Sequence, residues 1–317
     1  MRKMKKKLMV AILGAGLIIS GCGMGAANGE QVQAEASKEK SHVNQTIGDR
    51  KNQILASTNW QGTKVYDKNG KDLTKENQEL ISFAKYDKKN GRYEFFDQKT
   101  GESRGDSGTY FITNDGTKRI LISETKNYQA VVDITKLTKQ KFTYKRMGKD
   151  AAGNPVEVYV DHIPYHEQKL NFTKPLEKLS TQTGKIVRNE SGAKLLGETL
   201  WNGTKVVDAD GKDVTKYNQN FISLAKFDAE TNKYEFFDLN TGVTRGDFGY
   251  FDVLRHNKIR AHASIGTNKY GAVLEITELN NERFTYKREG KNAAGEAIPV
   301  FVEHESYQGE FNPAFTF

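Results

Sequence analysis

The stretch ISFAKYDKKNGRYEFFD at residues 81–97 decides the fold of this chain. Apolar and polar side chains alternate on both sides of Asn90-Gly91, and Asn-Gly between alternating runs is a strong signal for a β-hairpin. Further alternating runs follow at close spacing, separated by Thr100-Gly101 and Asp115-Gly116. About eight strands joined by tight turns predict an antiparallel meander, which closes into a barrel because closure removes the unpaired edges. The sequence therefore predicts an all-β fold.

The hairpin belongs to a segment that occurs twice in the chain. YEFFD at 93–97 recurs at 234–238, and WQGTKV at 60–65 recurs as WNGTKV at 201–206. A period this long indicates two whole domains instead of a solenoid repeat. We expect a first barrel over 49–172, a linker over 173–188 and a second barrel over 189–317. A short helix is expected to precede the strands of each copy, at Asp49–Ala56 and Asn189–Gly197.

The first 21 residues have the pattern of a secretory signal peptide. Residues 1–7 carry five basic and no acidic side chains, and an apolar run of about 12 residues follows, too short to span a bilayer as a helix. Gly21 and Cys22, the only cysteine, resemble the end of a bacterial lipobox. We expect cleavage between them and a diacylglyceryl group on Cys22, which anchors the protein to the extracellular face of the cell membrane. Residues 22–48 are expected to form a flexible stalk.

The charge distribution argues against a nucleic-acid partner. The net charge is +8, but the signal segment contributes five of these charges and the rest of the chain carries only +3. A polyanion-binding protein concentrates its basic residues on one face. The first copy (57–172) has 20 Lys and Arg against 16 Asp and Glu, and the second (198–317) has 14 against 18. We expect the more basic first copy to face anionic lipid or a cell-wall polymer.

The sequence holds no motif that identifies an enzyme. No nucleophile elbow, phosphate-binding loop or zinc-protease motif occurs, and we expect neither catalysis nor a cofactor. The run DKNGKD at 67–72 has glycine at its fourth position, whereas an EF-hand calcium loop has it at the sixth, so an Asp-rich turn explains the run. His162 and His304 occupy matching positions, but no second duplicated histidine accompanies them. A zinc site needs three or four ligands, so we expect no metal site.

Duplicated aromatic and basic residues are the candidates for a barrel end or an interior cavity. They are Trp60, Arg104, Tyr144 and Arg146 in the first copy and Trp201, Arg245, Tyr286 and Arg288 in the second. Arg104 and Arg245 each begin an Arg-Gly-Asp tripeptide. We interpret this as a turn entering a strand, with the arginine covering one end of the barrel and stacking on the tryptophan of its copy. A hollow barrel would bind a small apolar ligand, whereas a barrel filled by Phe and Tyr would be a structural or protein-interaction module.

Between residues 108 and 146 the sequence resembles the lipocalin-like barrels of bacterial lipoproteins. The residues that carry the resemblance are Gly108-x-Tyr110, Thr117-Lys118-Arg119, Tyr128, Ile134–Leu137 and Phe142-Thr143-Tyr144, together with Trp60 after a short helix. Both copies are similar to a family of tandem domains in Gram-positive lipoproteins, domain of unknown function 4822. The resemblance implies one lipocalin-like barrel per copy and supplies no catalytic residues. The chain departs from true lipocalins at Thr58 and Thr199, where lipocalins have a glycine two residues before the tryptophan.

The lipidation of Cys22 is testable in a single variant. We expect the wild-type chain, expressed in a Gram-positive host, to enter the detergent phase in a phase-partition assay and to carry the mass of a diacylglyceryl group. Cys22→Ser removes the thiol that accepts this group, so the variant should remain in the aqueous phase. Detergent-phase recovery of the serine variant would contradict the prediction.

Overall fold

The computed structural model describes residues 45–180 and 185–317, and these form two eight-stranded antiparallel barrels in tandem. The all-β fold and the meander predicted from the sequence are thereby confirmed. The predicted signal peptide, its cleavage between Gly21 and Cys22, the lipidation of Cys22 and nearly all of the predicted stalk lie outside the described residues.

One helix and eight strands form the first copy. Helix α1 spans Ile47–Ala56, and the strands are β1 (Asn59–Asp67), β2 (Phe83–Asp87), β3 (Arg92–Phe96), β4 (Ser103–Ile112), β5 (Lys118–Ser123), β6 (Tyr128–Leu137), β7 (Phe142–Lys149) and β8 (Pro155–Tyr165). A 3₁₀ helix at Lys75–Leu80 lies between β1 and β2. The hairpin predicted at 81–97 is formed by β2 and β3, where Gly91 has a φ of 61°, a left-handed conformation that suits glycine.

The second copy repeats this order. Helix α2 spans Gly192–Gly197, and the strands are β9 (Trp201–Asp208), β10 (Leu224–Asp228), β11 (Lys233–Phe237), β12 (Thr244–Leu254), β13 (Ile259–Ser264), β14 (Gly271–Leu279), β15 (Arg283–Lys291) and β16 (Ala297–Ser306). Short 3₁₀ helices at Thr215–Tyr217 and Gln219–Phe221 correspond to the single one of the first copy. In both copies the first strand pairs with the second and with the last, and this double pairing closes the barrel.

Each helix packs against the tryptophan of the first strand. Thr46 and Asp49 form a capping box, so α1 begins at Ile47, two residues before the predicted start. The indole Nε1 of Trp60 donates a hydrogen bond to the carbonyl of Leu55 in α1 (2.7 Å), and Trp201 does the same to Leu196 in α2 (2.9 Å). The tryptophan thus ties the helix to the barrel wall. No helix within residues 45–180 and 185–317 is long and apolar enough to cross a membrane.

The two barrels pack against each other through the outward faces of corresponding strands. A buried apolar cluster joins Phe111, Ile120 and Ile122 of the first copy to Tyr250, Ala261 and Ala263 of the second. The duplication aligns Ile120 with Ala261 and Ile122 with Ala263, so larger side chains of one copy meet smaller ones of the other. At the edge of this cluster, the side-chain amide of Gln129 donates to the carbonyl of Ser264 (2.8 Å). The two barrels therefore share one apolar interface.

A buried asparagine fastens the 3₁₀ segment to the barrel in each copy. The side-chain amide of Asn77 donates to the carbonyls of Leu73 and Lys149 (both 2.9 Å), and its oxygen accepts the backbone N–H of Lys149 (2.8 Å). Asn218 makes the three equivalent bonds in the second copy. These bonds hold the loop after the first strand against β7 or β15.

Replacing Asn77 with Ala is expected to lower the free energy of unfolding by about 1–3 kcal/mol, because buried backbone groups lose their partners. Asn218→Ala should have a similar cost. Chemical denaturation followed by tryptophan fluorescence measures the change, and the exposed neighbour Gln78→Ala is the control, expected to change stability by less than about 0.5 kcal/mol. Equal effects of N77A and Q78A would show that these buried bonds do not stabilise the fold.

Candidate functional site

A cavity of about 380 Å³ lies inside the second barrel. This volume falls in the range of small-molecule sites, roughly 300–1,000 Å³. Its charged and imidazole side chains are Arg245, Arg260, Arg288, His262, His304 and Asp247. The rest of its lining is Asn220, Phe221, Ser223, Phe236, Asn268, Tyr270 and Tyr286. The cavity lining is polar and basic, unlike the apolar lining expected for a small apolar ligand.

Three of the four second-copy candidates meet at this cavity. Arg245, Tyr286 and Arg288 line it together. Trp201 does not, because it is completely buried beside α2 and packs edge to face on Phe284, with ring centroids 5.9 Å apart. It therefore belongs to the core that closes this region of the barrel.

The first-copy candidates occupy the equivalent positions in the fold. Trp60 is completely buried and packs edge to face on Phe142 at 5.8 Å. Tyr144 is buried, and the guanidinium of Arg119 lies 4.5 Å from its ring centre. Arg146 is half-buried, and its Nε donates to the carbonyl of Met147 (3.3 Å).

The expected stacking of Arg104 and Arg245 on the tryptophans does not occur. Arg104 instead donates to the carbonyls of Glu79 and Ile81 at the end of the 3₁₀ segment, at 3.2 and 3.3 Å. Arg245 makes the matching bonds to the carbonyls of Asn220 and Ile222. The reason is that both tryptophan rings are enclosed by the helix and the barrel core, whereas the 3₁₀ segment presents free carbonyl groups to the arginine.

The Arg-Gly-Asp tripeptides lie inside strands β4 and β12, at a bulge where the pairing register shifts. The carboxylate of Asp106 is buried and accepts hydrogen bonds from the hydroxyls of Tyr93, Ser123 and Tyr128. Asp247 accepts from Tyr234 (3.0 Å) and Tyr270 (2.8 Å). The aspartates therefore organise the barrel interior and are not at an exposed loop tip.

Arg260 is the central charge of the cavity, and the sequence reasoning missed it. Its side chain is 2% exposed, and its guanidinium lies 4.6 Å from the ring centre of Tyr286 and 5.4 Å from that of Phe284. The Nε has no hydrogen-bond partner, and no carboxylate within the described ranges lies within 4 Å of the guanidinium. Burial lowers the pKa of Arg260, but an arginine stays protonated in proteins. Burying a cation without an anion beside it is energetically costly.

A signal in the sequence could have identified this arginine. Arg119 and Arg260 occupy the same position in the two copies, within strands whose other residues are mostly apolar. A duplicated arginine in a strand that is buried on both faces is unusual, because charged side chains are seldom fully buried.

Arg288 supplies a second unpaired donor. Its guanidinium stacks on Phe221 at 3.8 Å from the ring centre, and its buried Nε has no hydrogen-bond partner. Stacking fixes the plane of the guanidinium and leaves its N–H groups directed along that plane. Arg260 and Arg288 thus offer donors on two walls of one cavity.

The two cavity histidines are neutral near physiological pH. Burial lowers the pKa of His304 to about 3, and the positive charge of Arg260 adds to this effect. Burial likewise holds the pKa of His262 well below its usual range, with Arg260 and Arg288 contributing. The Nδ1 atoms of both rings lack hydrogen-bond partners. They add neutral hydrogen-bonding groups to a cavity with a positive net charge, since Asp247 is the only carboxylate among the described residues that line it.

The remaining motif is an Asp-rich turn. The carboxylate of Asp67 accepts the backbone N–H groups of Asn69 (2.9 Å) and Lys71 (3.0 Å), and Gly70 has a φ of 81°. These bonds account for the DKNGKD run without an ion. Among the residues that the structure describes, no group of three or more His, Cys, Asp or Glu could hold a metal ion.

Comparison with known proteins identifies a family and two structures of low similarity. A family model described as domain of unknown function (DUF4822) matches residues 52–172 and 193–315. A search of curated proteins finds no match. A bovine odorant-binding protein, solved with a selenium-containing odorant, is 14% identical over 36% of this chain and 77% of its own, with a TM-score of 0.23. A DUF3598-family protein of unknown function from Nostoc punctiforme is 8% identical over 81% of this chain and 98% of its own, with a TM-score of 0.22.

The neutral buried histidines predict a specific loss of stability in acid. Because the folded-state pKa of His304 is about 3, below the ordinary 6.5, the unfolded chain takes up the proton first. Its contribution to stability is complete above pH 6.5 and falls by about 1.4 kcal/mol per pH unit as the pH drops towards 3.

The measurement is chemical denaturation of the wild type and of His304→Phe between pH 7 and 4. We expect the difference in unfolding free energy between the two proteins to shift in favour of the variant as the pH falls. His162→Phe is the matched variant of the first copy, because His162 also has a pKa lowered to about 3 by burial. A difference that is independent of pH in both variants would contradict the assignment.

Proposed function

This chain belongs to the DUF4822 family of unknown function, and we propose that its second barrel binds a small anionic ligand without catalysing its conversion. The proposal rests on the residues that line the cavity of this barrel. An eight-stranded barrel has an interior of the right size for side chains or for one small ligand. The single observation that carries the proposal is the buried guanidinium of Arg260, which borders the cavity and has no anionic partner among the residues that the structure describes.

The chemistry of the lining defines the class of ligand. A carboxylate, sulfonate or phosphate group between Arg260 and Arg288 would accept charge-assisted hydrogen bonds from donors that have no partner in the free protein. An aromatic or aliphatic body would pack against Phe221, Phe236 and Tyr286. The ligand is therefore a compact amphiphile with one anionic group, in place of the purely apolar ligand expected from the sequence.

Affinity in this arrangement comes mainly from electrostatic attraction to a buried guanidinium. A guanidinium that is already out of water has lost its hydration before the ligand arrives, so an anion gains the attraction at a reduced desolvation cost. The same reasoning gives specificity against neutral analogues, because these leave the arginine donors unsatisfied.

We also propose where the protein is located and which role the first barrel has. The lipobox-like end of the signal peptide supports anchoring through Cys22 on the extracellular face of the membrane, where the ligand would be a component of the envelope or the surroundings. The alternative, a structural or protein-interaction module, fits the first barrel better than the second. There the buried Arg119 already has a partner inside the protein, the hydroxyl of Tyr86.

Calorimetric titration with 2-naphthoate and 2-naphthamide tests the proposal. The two probes share one ring system, and only naphthoate carries a negative charge. We expect the wild-type chain to bind naphthoate at least about tenfold more tightly than naphthamide, since hydrogen bonds to a charged group contribute about 1.5–3 kcal/mol. Arg288→Gln removes one of the two arginines and should weaken this preference.

The matched control is Arg146→Gln, the equivalent position of the first copy, which should leave naphthoate binding unchanged. Equal binding of the two probes, or equal losses in R288Q and R146Q, would exclude an anion site in the second barrel. If the preference for naphthoate is found, native mass spectrometry of the chain purified from its own cell envelope would identify the natural ligand, as extra mass that is released on denaturation.

A further inference from the structure

The two barrels differ beside their buried arginines. Aligning the copies places Tyr86 of β2 at the position of Phe227 in β10, and Arg119 of β5 at the position of Arg260 in β13. All four side chains are buried, with at most 4% exposure. The chain therefore contains two otherwise similar sites, one with a tyrosine hydroxyl beside the arginine and one without it.

In the first barrel the arginine has a partner within the protein. The Nη1 of Arg119 donates a hydrogen bond to the hydroxyl oxygen of Tyr86 at 2.6 Å. Its guanidinium also lies over the ring of Tyr144 at 4.5 Å. Burial acts to lower the pKa of Arg119, but Tyr86 and Tyr144 outweigh it, and the pKa is raised. This bond stabilises the cation, although the Nε of Arg119, like that of Arg260, has no hydrogen-bond partner among the described residues.

In the second barrel the same arginine lacks that partner. Arg260 lies 5.6 Å from the ring centre of Phe227, which has no hydroxyl group, and its guanidinium also lies within about 6 Å of the rings of Phe236, Phe284 and Tyr286. Burial here lowers the pKa of Arg260. The opposite directions of the two pKa shifts agree with the difference in hydrogen bonding.

A second difference lies on the same strand. His262 of the second copy lines the cavity two residues after Arg260, and the first copy has Leu121 at this position. Alternate residues of a strand point to the same face, so both changes modify the interior of the second barrel. A tyrosine hydroxyl is lost and an imidazole is gained.

We propose that Phe227 determines which barrel binds the ligand: without a hydroxyl at this position Arg260 is free to bind the anionic group, whereas Tyr86 occupies Arg119 in the first barrel. This inference rests on the proposed function and assigns it to one copy. The expected stoichiometry is then one anion per chain.

The experiment compares Phe227→Tyr and Tyr86→Phe with the wild-type chain, again by calorimetric titration with 2-naphthoate. The hydroxyl introduced by F227Y should bond to Arg260 as Tyr86 does to Arg119, and naphthoate affinity should fall by about tenfold or more. Y86F leaves the second barrel unaltered, so this barrel should keep its wild-type affinity for naphthoate, and any additional binding in Y86F would come from the freed Arg119 of the first barrel. Thermal unfolding, measured in parallel, checks that each variant is folded.

The outcomes separate the inference about Phe227 from the proposal that the second barrel binds an anion. Wild-type binding with a loss confined to F227Y supports the inference. Wild-type binding that F227Y retains, or that Y86F loses equally, overturns it and leaves the anion site in place. Absence of naphthoate binding in the wild type overturns both.

A measurement without ligand decides the case in which F227Y does not fold. Y86F removes the hydrogen-bond partner of a buried charge, so its unfolding midpoint should fall below that of the wild type. An unchanged midpoint would show that Tyr86 does not hold Arg119, and the inference would fail.

Discussion

The structure depends on the pairing of the first strand of each barrel with the last. Trp60 in β1 pairs with Ala84 on one side and with Pro164 on the other, and Trp201 pairs with Ala225 and Ser306. A closed sheet has no free edge, and all of its strands then present one face to a common interior. That interior has to be filled by side chains or by a ligand. The proposed ligand binding is a consequence of how each copy meets this requirement.

The two copies meet it differently although their frameworks are alike. The buried tryptophan, its hydrogen bond to a helix carbonyl and the aspartate that accepts tyrosine hydroxyls are the same in both. The differences that bear on the interior include Tyr86 against Phe227 and Leu121 against His262. Substitutions of this kind change the polarity of a barrel interior without changing the strands that enclose it. One duplicated scaffold can therefore keep a barrel whose buried arginine bonds to a tyrosine hydroxyl and develop a second one whose arginine lacks that partner.

Local sequence patterns predicted the strands and hairpins well, because turn geometry and alternation act over a few residues. The hairpin at Asn90-Gly91 and the strand at Arg92–Phe96 were found at their predicted positions. The stacking of Arg104 on Trp60 was wrong, since the tryptophan is enclosed by α1 and the arginine bonds to backbone carbonyls instead. Arg260 was missed because its environment is built by side chains from distant strands. Arg245, Tyr286 and Arg288 were chosen as duplicated residues and not for any proximity that the sequence revealed.

The sequence by itself determined the duplication, the all-β meander and the family, because these follow from repeated motifs and from a period of two along each strand. Only the tertiary structure decided that the second barrel contains a cavity, that Arg260 and Arg288 line it and that the two copies pack through β5 and β13. The physical reason is that closure brings together residues separated by tens of positions. Whether a buried charge has a partner is a property of that assembled interior and not of any one segment.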